Sequence, residues 1–121
     1  MNNKKIVNEL KQRYPMKKVL EGDGEIICEI QPVSENPDES ISIAVIKETK
    51  PHFHKLTTEI YEVVKGRLSL FIDGLEHKLS EGESLVISPY QKHYAIGNET
   101  WIKCTSHPGW RFEDHILVDN A

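Results

Sequence analysis

Two cysteines, two methionines and no long apolar run set the first bounds on this 121-residue chain. Cys28 and Cys104 lie far apart and match no metal-binding or redox spacing, so two reduced thiols in a cytoplasmic protein are expected. No apolar stretch approaches the roughly 20 residues that a bilayer-spanning helix needs, which excludes a helical membrane segment. The N-terminal residues offer neither an apolar core nor a small-residue cleavage site, so a secretory signal is not expected.

Positive charge is scarce beyond the first few turns. Residues 1–18 carry Lys4, Lys5, Lys11, Arg13, Lys17 and Lys18 against Glu9 alone. The remainder holds nine basic and eighteen acidic residues, and the net charge is -4. Apart from Tyr14, the basic segment has no aromatic residues to interleave with its charges, and no nucleic-acid-binding motif follows. A solvated helix face is the reading, with neither nucleic acid nor membrane as a partner.

What remains is enough for one domain. A hydrophobic content of 38% over this length can build a core without disulfides or other staples. Ile6, Leu10 and Tyr14 recur at helical spacing with Val7 beside them, and Pro15 ends the run. That pattern predicts a short amphipathic helix, a helical extension over residues 1–18, docked on a domain formed by residues 19–121. From Lys17 onward, strands and turns follow one another. Ile26, Cys28 and Ile30 alternate, as do Ile41, Ile43 and Val45. Residues 59–65 and 67–72 are β-rich and separated at Gly66. Asp73-Gly74 marks a hairpin between 68–72 and 75–79. Further strands are predicted over 84–88, 93–96, 101–106 and 115–118. Many short strands with one helix indicate an all-β sandwich or barrel.

The chemistry-bearing residues gather around His52-Phe53-His54. In an extended strand, alternate side chains share a face, with Cα atoms roughly 6.5 Å apart, so both rings can converge on one ion. Glu59 shares parity with Tyr61 and Val63, whereas Glu62 points the other way. His93 opens a later strand that can lie opposite the pair. Three imidazoles and one carboxylate suit Fe, Mn, Ni, Cu or Zn better than the oxygen-seeking Ca or Mg.

These residues fall in two motifs that resemble the cupin superfamily. His52-Phe53-His54, four residues, Glu59, six residues and Gly66 match its first motif, H-x-H, a short spacer, Glu, then Gly. Gly82 through a hydrophobic strand to Pro89 and His93 matches its second. Tyr90 stands where that family often has Gly, Asn98 lies one residue late, and the Gly usually upstream of the His pair is absent. The resemblance covers roughly residues 40–106. It implies a cupin double-stranded β-helix, or jelly-roll barrel, with a short N-terminal helix. It also implies one divalent transition metal (Fe, Mn, Ni or Zn) on His52, His54, Glu59 and His93, and a homodimer.

Such a site would suit a small metalloenzyme of isomerase type acting on a sugar or a hydroxy or keto acid. An Fe(II)-dependent dioxygenase and a non-catalytic small-molecule binding module are the alternatives. Tyr61 and His107 are weak catalytic candidates, the former weighed against a place in the core, the latter against an exposed turn. His77 is expected to be a hydrogen-bonded structural histidine. His115 beside Asp114 is expected to be incidental, because neighbouring strand residues face opposite sides. Trp110 and Phe112 are expected to cover the barrel end or a dimer contact.

Overall fold

A computed structural model describes residues 1–119; residues 120 and 121, the end of the expected domain, lie outside the described residues. The one α-helix among the described residues, α1 (Asn3–Arg13), starts at Asn2, whose side chain accepts a hydrogen bond from the Lys5 N–H at 3.2 Å. It buries Ile6 and Leu10 and stops before Pro15.

Ten strands follow. They are β1 (Lys18–Glu21), β2 (Glu25–Gln31), β3 (Ser40–Glu48), β4 (His52–Phe53), β5 (Thr58–Lys65), β6 (Leu68–Ile72), β7 (Leu75–Leu79), β8 (Ser84–Ile87), β9 (His93–His107) and β10 (Ile116–Leu117). All pairings are antiparallel and form one curled sheet, in which β9 pairs with β3, β4, β5 and β6. β6 and β7 meet at Asp73-Gly74, where both residues take positive φ, as a tight hairpin requires.

β9 corrects one expectation. Residues 93–96 and 101–106 are one strand, not two. Its register with β3 jumps from Thr100 opposite Ile46 to Ile96 opposite Glu48. Glu99 takes a φ of 53° there, so the extra residues are absorbed as a bulge while the chain stays in the sheet. The first half of β9 therefore pairs with β6 and the second half with β5. The predicted strand over 115–118 shrinks to Ile116–Leu117, preceded by a short 3-10 turn at Phe112–Asp114.

Two apolar clusters result. Val63, Leu68, Leu70, Ile87 and Ile102 pack with neighbours inside the curl. Outside it, Ile26, Cys28, Ile43, Val45 and Trp101 pack under Ile6 and Leu10 of the helix. β2 thus turns its apolar face to α1, and its other face, with Glu25, Ile27, Glu29 and Gln31, lines a cavity inside the curl. Gly24, at a φ of 85°, enters this strand against the Glu48 carbonyl, where any Cβ would collide.

Candidate metal centre

His52 and Phe53 form the two-residue strand β4, which pairs His52 with His93 of β9. His54 follows at the start of the loop into β5, and Glu59 points inward from β5 beside buried Tyr61. Glu62, of opposite parity, is exposed. One ligand atom from each of His52, His54, Glu59 and His93 falls within 4.8 Å of the others. All four residues are buried, with 5% exposure or less.

Backbone carbonyls decide which nitrogen each ring presents. His52 Nδ1 lies 2.8 Å from the Lys50 carbonyl, His54 Nδ1 3.0 Å from that of Asp114, and His93 Nδ1 2.9 Å from that of Gln91. In each neutral ring Nδ1–H donates, which leaves Nε2 as a lone-pair donor facing the centre. His54 Nε2 sits 3.2 Å from Glu59 Oε1, yet it is buried without a hydrogen-bond partner. A buried orphan nitrogen among neutral imidazoles and a carboxylate is what a divalent transition metal would satisfy. The four residues therefore fit a metal ion.

The electrostatics agree. Burial, followed by the adjoining His93 and His115, pushes His52 down to about 3, so the ring is neutral. Burial works against ionisation of Glu59, but close contact with and attraction from His54 and His93 outweigh it and hold the carboxyl well below the usual range. For His54, burial opposes protonation, while contact with Glu59 more than compensates and raises it. Cys104 is kept protonated by burial and by Glu59, and its Sγ donates to Glu59 Oε2 at 3.3 Å. Cys28 and Cys104 are both free.

Asp114 organises the loop between His54 and Glu59. Its buried carboxylate accepts the backbone N–H groups of Lys55 (3.0 Å), Leu56 (3.2 Å) and Thr57 (3.1 Å). Burial alone would raise its pKa, but these three donors lower it. Its carbonyl meanwhile orients His54. Tyr90, at the position where Gly is common, adopts a φ of 70°, and its ring stacks on Phe53 at 5.9 Å. The backbone there needs the left-handed region that Gly enters most easily, and the stack accompanies the departure.

Several sequence readings find their places. Tyr61 belongs both to the core and to the cavity wall, its ring 6.2 Å from that of His93, and burial holds its phenol protonated. His107 lies at the end of β9, exposed and 3.5 Å from Glu39, with the cis peptide before Pro108 beyond it, and the cavity wall does not include it. His77 departs from the expected hydrogen-bonded histidine: it is half-buried on β7 and its ring has no hydrogen-bond partner among the described residues. Trp110 lines the cavity, whereas Phe112 is 80% exposed.

His115 corrects the reading of it as incidental. His115 turns into the cavity and stacks on His52 with ring centroids 4.1 Å apart. Trp110 Nε1 donates to its Nδ1 at 3.3 Å. The short 3-10 turn before it brings the ring there, a placement that strand parity does not foresee.

Sequence reading also missed Glu25. It is half-buried in the wall of the same cavity, of about 350 Å³, that His52 and Glu59 line. Burial, followed by repulsion from Glu59, raises its carboxyl from 4.5 to about 7. Because the folded value exceeds the unfolded one, the protonated form stabilises the fold. That advantage is complete below pH 4.5 and disappears as pH rises to about 7. Glu25→Gln is therefore expected to stabilise the metal-free protein above neutral pH by up to about 3 kcal/mol, and hardly at all in acid. Denaturant unfolding of both proteins at either end of that window checks the sign.

The profile of the cupin domain matches residues 40–100, half of the chain. The chain belongs to the cupin family. The cupin is 28% identical over 112 residues to the uncharacterized protein MJ1618 of Methanocaldococcus jannaschii, covering 86% of this chain and 90% of that one. Its fold is similar to that of Pac13, a nucleoside dehydratase, with a TM-score of 0.78 at 13% identity and 87% coverage of both chains. It is also similar to ectoine synthase from P. lautus, with a TM-score of 0.71 at 16% identity, over 84% of this chain and 76% of that one. Among the described residues no helix is long and apolar enough to cross a membrane.

Proposed function

We propose that this cupin is a metal-dependent enzyme acting on a small polar organic molecule, a sugar or a hydroxy or keto acid, by proton transfer of the isomerase or dehydratase kind. One observation carries the reading: Glu25, a half-buried carboxyl raised by burial and by Glu59, shares a cavity with two of the four residues that could hold the metal. A carboxyl so placed beside a metal group is a candidate acid or base.

His52, His54, Glu59 and His93 would hold Fe, Mn, Ni or Zn, which when bound would polarise a carbonyl or hydroxyl oxygen. The chain's own groups do the rest. Glu25 takes a proton from the substrate and returns it. Tyr61 keeps its phenol proton and offers it as a hydrogen bond. His115 and Trp110 stand together in the cavity wall, where they limit the space open to substrate. The dehydratase name of Pac13 accords with such chemistry on a polar molecule. Val64 and Val86, exposed on β5 and β8, are available for the homodimer that belongs to the same proposal.

Metal analysis of untagged protein comes first, then assay of sugar isomerisation and hydroxy-acid dehydration with that metal restored. Turnover should require the metal and fall at least about 100-fold in Glu25→Gln. Full turnover in the chelated protein, or in Glu25→Gln, would sink the proposal. Oxygen consumption that only ferrous iron supports would instead identify a dioxygenase. Binding without any turnover would make the protein a non-catalytic module.

A further inference from the structure

Trp110 and His115 form a pair outside the four-residue metal group. Trp110 Nε1–H donates to His115 Nδ1 at 3.3 Å. An indole N–H is a donor only, so Nδ1 must present its lone pair, and the proton of the neutral ring then sits on Nε2. The metal-binding histidines are set the opposite way. His52, His54 and His93 each place Nδ1 against a backbone carbonyl, which puts the proton on Nδ1 and the lone pair on Nε2. Three imidazoles are thus arranged to coordinate, and a fourth beside them is arranged to donate.

Both members of the pair are fixed by their backbones. Trp110 N–H donates to Ser40 Oγ at 2.8 Å, and Gly109 N–H donates to the Pro37 carbonyl at 3.0 Å. A Cβ on Gly109 would come within 2.8 Å of the Val33 side chain, so this segment lies close against the loop that follows β2. His115 N–H closes the 3-10 turn onto the Phe112 carbonyl at 3.1 Å, and the adjoining Asp114 carboxylate is tied to residues 55–57. The half-buried His115 ring stands 4.1 Å from that of His52 and 5.4 Å from that of His54. The two nitrogens of an imidazole diverge, so Nε2–H turns away from Trp110. It has no hydrogen-bond partner among the described residues, and the ring lines the cavity. A donor left unpaired in such a wall is one that a ligand can satisfy.

Resting on the metal-enzyme reading above, we propose that His115 is a substrate-binding residue whose Nε2–H donates to a carbonyl, hydroxyl or carboxylate oxygen of the substrate beside the metal centre. Trp110 is the positioning residue that fixes the tautomer and its aim. A fixed N–H holds an oxygen more tightly as that oxygen gains negative charge, so the bond that seats the substrate also favours proton removal by Glu25.

Acetohydroxamate is the probe, because its paired oxygens suit a metal and a neighbouring donor together. In calorimetry with zinc-loaded protein, its Kd should rise at least about tenfold in His115→Phe, which keeps a ring against His52 but has no N–H. In His115→Gln, whose amide supplies an N–H in place of Nε2–H, the Kd should return to within about threefold of wild type. Unchanged binding in His115→Phe, or an equal loss in both variants, overturns the proposal. Long-range proton–nitrogen NMR of the metal-free wild type gives a reading that no variant's folding affects: His115 should carry its proton on Nε2, and a proton on Nδ1 overturns the proposal as well. Failure to retain any of Fe, Mn, Ni or Zn would instead sink the metal-enzyme reading, while the spectra still decided the tautomer.

Discussion

His54→Ala and His93→Ala are each expected to abolish retention of the metal through dialysis, lowering affinity at least about 100-fold. The reason lies in the geometry of the centre. The ligand atoms converge within 4.8 Å, so removing either ring takes one of four donors from the centre. Each Nε2 is aimed by a carbonyl bond at the opposite ring nitrogen, and that aim is lost with the ring. Elemental analysis after dialysis is the direct check. Thermal melts supply a second readout, because a ligand held at about 1,000 times its Kd stabilises the native state by about 4 kcal/mol. The metal-induced rise in Tm should therefore vanish in both variants. His115→Ala is the control: its ring stacks on His52 but is not part of the four-residue group, so the metal should stay. Stoichiometric metal in His54→Ala would mean that the ion sits elsewhere.

Asp114→Ala should cost about 3 kcal/mol of stability even without metal. Three backbone N–H groups lose a charged acceptor at once, and hydrogen bonds to charged groups contribute about 1.5–3 kcal/mol each, although losses in one network do not add. The pH dependence follows from the depressed pKa. The carboxylate's contribution is present above its ordinary value of 3.8 and is lost as pH falls through the lower, folded value. Wild type and Asp114→Ala should therefore converge in strong acid and differ fully at neutrality. Because the anchored residues 55–57 connect His54 to Glu59, metal affinity should fall as well, by about 10–100-fold. Chemical denaturation across pH, with metal titration at neutrality, tests both effects. An Asp114→Ala variant with unchanged stability at neutral pH would show that water replaces the carboxylate at no cost.

Much of the centre could be read without coordinates because strand parity is local. His52 and His54 share a side, Glu59 is separated from Glu62, and the Asp73-Gly74 hairpin fixes its own register, all through backbone geometry over a few residues. The reading fell short where one strand has two useful faces. In β2, Ile26, Cys28 and Ile30 alternate with Glu25 and Glu29, and alternation alone does not say which face is interior. Packing of α1 decides it: the helix takes the apolar face, and the acidic face is left to line the cavity.

His115 and the bulge in β9 belong to the same class. A 3-10 turn swings one ring onto His52, and two extra residues absorbed near Glu99 let one strand serve both halves of the curl. Alternation along a strand is set by the chain's own geometry, so ligand identity and spacing are legible in the order of residues. Which face becomes the interior depends on what packs against the other side, and only long-range contacts settle that. The four candidate metal-binding residues are thus legible in the sequence, whereas the carboxylates that share their cavity emerge only with the fold.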